Sequence, residues 1–250
     1  MPARIAAIDN AIDILMVLSQ NKEKSIRELG GQLDISKSTL HRTLQTLESR
    51  GFVKQDSATQ KYSLGYQILE LGVQLKAHHE LRNAAVPHMV DLRDQLGETV
   101  QLAVMENDQL LIIEAVEGTK ELRFFSKAGQ TLPVTYGNFG KVFLAFMDID
   151  ERENYLAGQP LEKYGSLSIV DRSEYIKQLE HVKEERLSKS VDDPIDGSIS
   201  MAVPIFSKTE TAAALSIVGA KTNQLLADQE RWEKLLKKAG EAVSNELSKT

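Results

Sequence analysis

Arg42 and Gln45 are the residues in this chain whose chemistry is easiest to name. They share one side of a segment that reads as a helix from Ser36 to about Arg50. At about 100° per residue, Leu40, Leu44 and Leu47 cluster on one face and point to a core. Opposite them lie Ser38, Arg42, Gln45 and Ser49, flanked by Thr39, His41 and Thr46. Arginine can grip guanine with two hydrogen bonds, glutamine can do the same with adenine, and serine or threonine suits several base edges. Ser36, Lys37 and the first backbone N–H groups of such a helix would sit near a phosphate, where the helix dipole favours an anion. The plainer alternative is the solvated face that any small helical domain needs.

The neighbouring elements favour the first reading. Ser25-Ile26-Arg27-Glu28 has the serine and glutamate spacing of a capping box, with Ile26, Leu29 and Leu33 following at helical intervals. Asp34-Ile35 forms a tight break, and Asp tolerates the positive φ such a break requires. After Gly51 the pattern changes to period two over Phe52–Gln55, turns at Asp56–Thr59, and resumes over Gln60–Leu64. Helix, turn, helix and hairpin outline a winged DNA reader, and Lys61 on the hairpin joins the DNA-contact set. A preceding helix spans Ile5 to about Gln20, with Ile8, Ala11, Ile12, Leu15 and Leu18 as its apolar stripe. Asp9 and Asp13 argue against that helix lying along DNA. Arg4 could reach a phosphate or a minor groove, or belong to a free arm.

A length of 250 residues accommodates two domains. There is no cysteine, hence no disulfide, thiolate metal site or cysteine nucleophile. No apolar run approaches the ~20 residues needed to span a bilayer, and the start reads as neither a signal nor a transit peptide, so a cytoplasmic protein without membrane association is expected. Residues 1–65 carry nine lysines and arginines against seven acidic residues, whereas residues 66–250 carry 21 against 29, within a net charge of −6. DNA binding confined to one end fits that asymmetry. The basic excess is too small to hold a monomer on DNA at physiological salt, so dimerisation is expected.

Beyond the wing, Tyr66–Leu75 reads as a connector helix with more apolar positions than a lone exposed linker needs. It either buries one side on a partner subunit or packs on its own second domain. A helix over Leu81–Leu96 has Pro87 near a kink or restart. Strands are expected at Thr99–Met105, Gln109–Val116, Leu122–Ser126, Ser190–Asp192, Ser198–Phe206 and Thr211–Val218, and helices at Phe139–Met147, Arg172–Leu187 and Gln224–Leu247. Hairpins on both sides of central helices indicate an α+β fold with a largely antiparallel sheet. The division expected is 1–65 for the winged domain, 66–80 for the linker and dimerisation helix, and 81–250 for the remainder. His78, His79 and His88 lack the spacing of a zinc site, Gly30-Gly31 is followed by no phosphate-loop Lys-Ser/Thr, and no nucleophile elbow occurs. No cofactor and no metal is expected. Lys141 could be a catalytic amine, although a solvated lysine is commoner.

Three segments together resemble the isocitrate lyase regulator (IclR) family of bacterial transcription factors. They are Leu33 through Leu44; Gly137-Asn138-Phe139-Gly140-Lys141-Val142-Phe143-Leu144-Ala145; and Val191-Asp192-Asp193 through Gly197 to Ala202-Val203-Pro204, with Ala214 through Gly219. The resemblance runs essentially end to end. It implies an N-terminal winged helix-turn-helix, a C-terminal GAF-like effector domain, and dimers that pair into tetramers. It also implies an effector pocket formed by Phe125, Ser126, Val134, Gly140, Asp192, Ser200, Ser216 and Val218. Gly140 would sit where helix-start amides hold a carboxylate, Asp192 would accept from a ligand hydroxyl, and Ser200 and Ser216 could do either. Strand hydroxyls satisfied by backbone, and a solvated turn at Asp192-Asp193, are the plainer readings of those residues. Tyr136, Asn138 and Phe139 depart from a motif usually rich in Ala and Leu, and could narrow the pocket or offer a ring to stack on. Ser200 stands where cysteine is usual, and Val218-Gly219-Ala220 where Ser-Gly-Pro is.

The expectation is a sequence-specific transcriptional regulator, not an enzyme. It would bind a pseudo-palindromic double-stranded DNA operator as a homodimer or tetramer, under control of a small-molecule effector such as an organic acid or an aromatic metabolite. The alternative is an enzyme acting on a small metabolite with an accessory DNA-binding domain.

Overall fold

The computed structural model describes residues 5–20, 23–158, 160–208, 210–222 and 226–249, and the chain divides into two compact units, Met1–His78 and His79–Thr250. Arg4, whose reach toward DNA was considered above, lies outside the described residues.

In the first unit, α1 (Ala6–Ser19), α2 (Ile26–Leu33) and α3 (Lys37–Ser49) precede a two-stranded antiparallel wing, β1 (Val53–Gln55) and β2 (Tyr62–Leu64), and then α4 (Tyr66–Ala77). The capping box at α2 is complete: the Ser25 N–H donates to Glu28 at 2.7 Å, and the Glu28 N–H donates to Ser25 Oγ at 3.3 Å. The Ser25 amide holds the Glu28 carboxyl below its ordinary pKa. Asp34 ends α2 at φ 51°, the left-handed conformation that its side chain tolerates. Leu40 and Leu44 are fully buried against Ile14, Leu29, Val53 and Tyr62. The wing turn is tied by Asp56 Oδ1, which accepts from the Thr59 N–H at 2.7 Å and the Ala58 N–H at 3.1 Å.

The structure corrects the apolar stripe of α1. Of Ile8, Ala11, Ile12, Leu15 and Leu18, only Leu18 is buried; Ile14 and Val17 join it, and Ile8 and Ile12 stand more than half exposed beside Ile5 and Met16. This helix is apolar over most of its circumference, so periodicity alone admits two faces, and packing on α2 and α3 selects one.

The second unit begins with α5 (Glu80–Leu96), one uninterrupted helix with Pro87 inside it rather than at a restart. Its sheet has strand order β5-β4-β3-β8-β7-β6, every neighbouring pair antiparallel. The strands are β3 (Thr99–Glu106), β4 (Gln109–Val116), β5 (Thr131–Pro133), β6 (Ser188–Val191), β7 (Ser198–Ser207) and β8 (Glu210–Ala220). Between β5 and β6 run α6 (Gly137–Phe146), α7 (Ile149–Gly158) and α8 (Arg172–Glu185), and α9 (Gln229–Leu247) closes the unit. Strand alternation splits the core into two layers. Val100, Leu102, Met201, Leu215 and Ile217 meet α5 and α9 through Met89, Leu92, Trp232 and Leu236. Ala103, Ala202 and Ala214 meet α6 and α8 through Val142, Phe143, Leu144 and Leu179. Alanines on that second face allow α6 to lie close to the sheet.

Several boundaries differ from expectation. Leu122–Ser126 is not a strand; its carbonyl at Phe124 instead accepts from the Thr99 hydroxyl at 2.6 Å, and the edge place beside β4 goes to Thr131–Pro133. Ser190–Asp192 shifts to Ser188–Val191, because Asp192 adopts φ 51° and leaves the extended region. Helix α9 starts at Gln229; Gln224 lies outside the described residues. Helix α7 carries no strong apolar period, and β5 is three residues long, so neither stood out in sequence. Replacing Ser25 with alanine removes one half of the capping box. Chemical denaturation of the full chain should show the winged unit destabilised by about 1 kcal/mol.

Candidate functional site

On the first unit, Ser36, Lys37, Ser38, Thr39, His41, Arg42 and Gln45 are all exposed along α3 and the residue before it, and Lys61 is half-buried just before the second wing strand. Ser36 is the helix cap: its Oγ accepts from the Thr39 N–H at 3.3 Å and lies 2.9 Å from the Thr39 hydroxyl. Thr46 turns its hydroxyl back to the Arg42 carbonyl at 2.9 Å, which occupies that donor within the helix. The remaining polar ends, chiefly Arg42, Gln45 and His41, project from a helix whose opposite side is anchored by Leu40 and Leu44. Such a face can donate to base edges and phosphates alike.

The second unit holds a small cavity of about 100 Å³. Phe125, Ser126, Ser200, Ser216 and Val218 line it, so the structure brings five of the eight expected effector residues together. Among the described residues that line it, none carries a charge. The Ser126 hydroxyl is buried with no hydrogen-bond partner. At one end stands the start of α6, where Tyr136, Gly137, Asn138 and Phe139 contribute to the wall and no side chain caps the helix. The first amides of a helix have no intrahelical acceptor and carry its positive partial charge, so an anionic group is favoured there.

Three expected contacts fall elsewhere. Val134 is fully buried in the α6–α8 core. Gly140 is wedged against it: a Cβ at this position would lie 1.9 Å from the Val134 carbonyl oxygen, and its N–H donates to the Tyr136 carbonyl at 3.3 Å. Gly140 therefore lets α6 approach, while Gly137, Asn138 and Phe139 ahead of it line the cavity. Asp192 is a brace. One carboxylate oxygen accepts from Lys221 and the other from the Gly197 N–H at 2.7 Å. The Lys221 ammonium, first, and that N–H hold its carboxyl below the usual carboxylate range.

Sequence reading passed over other lining residues, including Gln101, Gln130, Pro194 and Ile195. Gln101 carried a signal, as a polar residue within an apolar strand; it pairs with Ser216 across β3 and β8. Pro194 and Ile195 depend on the fold of the turn after β6. That turn is fastened by Asp193, whose Oδ2 accepts from Lys141 Nζ at 2.7 Å and whose Oδ1 accepts from Ser168 at 2.5 Å. Lys141 and Asp193 are both almost wholly buried, so Lys141 is neither a free amine nor a solvated one. On the other side, the strap carrying Phe124–Ser126 is held by Thr99 and by Lys120, which pairs with the buried Glu98 at 2.5 Å. Burial raises the Glu98 carboxyl above its ordinary pKa, with Lys120 opposing.

Two outcomes follow from these braces. Lys141→Met leaves Asp193 buried without its counter-charge, and thermal or chemical unfolding should register a loss of about 3–5 kcal/mol. Asp192 has its folded pKa depressed, so its stabilisation is fully present above the unfolded carboxylate value and is lost as pH falls through the lower folded one. Thermal melts of Asp192→Asn should therefore differ from wild type at neutral pH and converge with it only in acid below the ordinary carboxylate range. A gap that persisted unchanged in strong acid would reject the ion-paired brace.

Both units match known proteins. The family model described as "Bacterial transcriptional regulator IclR C-terminal" matches residues 73–245, and the IclR helix-turn-helix domain matches residues 7–57. The HTH-type transcriptional regulator KdgR of Escherichia coli is 28% identical over 207 residues, covering 83% of this chain and 79% of its own length. An IclR transcriptional regulator from Alicyclobacillus acidocaldarius superposes with a TM-score of 0.88 at 26% identity, over 98% of this chain and 100% of that one. An IclR homologue from Microbacterium hydrocarbonoxydans, solved in complex with 4-hydroxybenzoate, gives a TM-score of 0.86 at 23% identity, again over 98% and 100%.

Proposed function

Because the chain belongs to the IclR family of bacterial transcriptional regulators, and so is a DNA-binding regulator with an effector-binding domain, we propose that α3 reads a pseudo-palindromic operator while the cavity of the second unit senses a small organic acid. Arg42, Gln45, His41, Ser38 and Thr39 take base edges, and Ser36, Lys37 and Lys61 lie at phosphates. The observation that carries the sensory half is the uncapped start of α6 opening on an uncharged, hydroxyl-lined cavity. A carboxylate there receives hydrogen bonds from the first α6 amides and from Ser126, Ser200 or Ser216, while Phe125 and Val218 give apolar contact. The aromatic carboxylate bound by the Microbacterium homologue belongs to this class. Val134, Gly140 and Asp192 support the walls rather than touch the ligand.

The acting species is a homodimer in the cytoplasm. Tyr66, Leu69, Leu71, Val73 and Leu75 on α4, and Ile5, Ile8, Ile12 and Met16 on α1, are all more than half exposed, an apolar surface that a second copy would cover. Two readers also double the phosphate contacts available to a weakly basic unit. The effector acts by population shift, binding one arrangement of the effector domains better and so resetting the spacing of the two readers. The protein carries out no turnover, and a metabolite consumed by the pure protein would contradict this reading.

Arg42→Ala should weaken binding to the intergenic DNA beside its own gene by about tenfold to a hundredfold, the worth of one bidentate base contact, and relax specificity at one position per half-site. Gel-shift titration measures the loss, and size-exclusion chromatography should find the oligomeric state unchanged. Wild-type affinity in the Arg42→Ala protein would reject the assignment of this face to DNA.

A further inference from the structure

The first turn of α6 contains an asparagine that ties the cavity wall to the two strands beneath it. Asn138 is 4% exposed and lines the cavity. Its Oδ1 accepts from the Ser188 hydroxyl at 2.6 Å. Its Nδ2 lies 2.9 Å from Ser190 Oγ, 2.9 Å from the Ser200 carbonyl oxygen and 2.8 Å from Ser200 Oγ. The carbonyl fixes the orientation of the amide, because turning it over would set two acceptor oxygens against each other at that distance.

Counting protons shows what is left for a ligand. The Ser188 hydroxyl is committed to Asn138, and the Ser190 hydroxyl donates to the Asp193 carbonyl at 2.6 Å. Two amide hydrogens serve three acceptors, two of which belong to Ser200. In the remaining contact, Ser190 Oγ to Ser200 Oγ at 3.0 Å, Ser190 has no proton to give, so Ser200 is the donor. Of these three serines Ser200 lines the cavity and Ser188 and Ser190 do not, so the Ser200 proton is the one in the cluster that a ligand there can take over. One lone pair of the Ser200 hydroxyl is meanwhile turned toward the asparagine.

We propose that Asn138 sets the selectivity of the cavity by holding Ser200 as a dedicated hydrogen-bond donor, so that an acceptor oxygen, such as one of a carboxylate, is preferred at this point over a group of the same shape that carries N–H or O–H. Asn138 is a positioning residue acting through Ser200, and the inference rests on the effector-cavity reading above. It also gives a role to one of the residues by which this chain departs from the alanine- and leucine-rich motif of the family it resembles.

Carboxylates and their neutral amides of equal size separate the two ideas. Isothermal titration of the full chain with benzoate against benzamide, and with lactate and pyruvate against their amides, gives a carboxylate-to-amide ratio for each pair. Wild type should favour the carboxylate by about tenfold or more, the worth of a charge-assisted hydrogen bond over an unsatisfied one. Asn138→Leu, similar in volume and without the amide, frees Ser200 to rotate, and the ratio should narrow by about tenfold. Ser200→Ala should narrow it similarly, and the double variant should go no further than either alone. A role in stability alone would lower all affinities together and leave the ratio unchanged, which would overturn the inference. Should Asn138→Leu fail to fold by circular dichroism, Ser200→Ala alone decides it, a preserved ratio again being the adverse result. Ser126→Tyr, on the exposed strap, should abolish binding of every probe. Unimpaired binding in that variant, or a wild type that ignores all three carboxylates, would overturn the cavity reading itself.

Discussion

Lys141 and Asp193 meet at 2.7 Å with both side chains almost wholly out of water, and most of what the cavity can do depends on that contact. A buried ion pair contributes little net stability, since desolvation offsets much of the attraction. Its value here is geometric. Lys141 lies one turn into α6, the helix whose first residues line the cavity, and Asp193 lies in the turn whose next two residues, Pro194 and Ile195, form another part of the wall. The pair fixes the distance between a donor-bearing helix start and an apolar rim. Ser168 takes the other oxygen of Asp193, tying the loop before α8 to the same point. Tyr175 packs nearby with its hydroxyl buried and unpartnered, and burial pushes its phenol well above the ordinary value, so it stays neutral beside the pair.

The close fit of α6 follows from residue size rather than from charge. Gly137 begins the helix at φ 57°, with Pro194 packed where a Cβ would stand, and Gly140 admits the Val134 carbonyl. Ala103, Ala202 and Ala214 complete the seat on the sheet. Larger residues at these positions would lift α6 away and carry its first turn off the cavity wall. The glycines of α6 and the alanines of the sheet thus set how closely the cavity wall at the start of α6 lies against the strands.

Much of this was legible in sequence where local rules act alone. The capping box at Ser25 and Glu28, the left-handed Asp34 and the buried Leu40 and Leu44 obey constraints set within a few residues, and the structure agrees with each. The strands from β3 to β4 and from β7 to β8 alternate clearly enough to be placed within a residue or two at most of their ends. What failed had two acceptable local answers. An α1 that is apolar nearly all round could bury either face, and Leu122–Ser126 had the composition of a strand but its anchor in Thr99, more than 20 residues earlier. Asp192 was expected at the ligand from the family resemblance, with a solvated turn as the plainer reading. Only the fold brings Lys221 and the Gly197 amide onto it.

Asn138 illustrates the same limit from the other side. In sequence it is one polar residue at the start of an apolar helix, a place where asparagine often does no more than cap or solvate. The three serines it meets lie 50 or more residues downstream on β6 and β7, and their small side chains carry no pattern of their own. Strand pairing sets Ser188 opposite Ala202 and Ser190 opposite Ser200, so that alternation turns these hydroxyls to one face. Helix α6 then lays its first turn over them. With no charged side chain among the described residues of the wall, the direction in which each hydroxyl points is what the cavity has with which to tell one small molecule from another. A single carboxamide that commits those directions converts a generic polar hollow into one that prefers acceptors, and it does so before any ligand arrives.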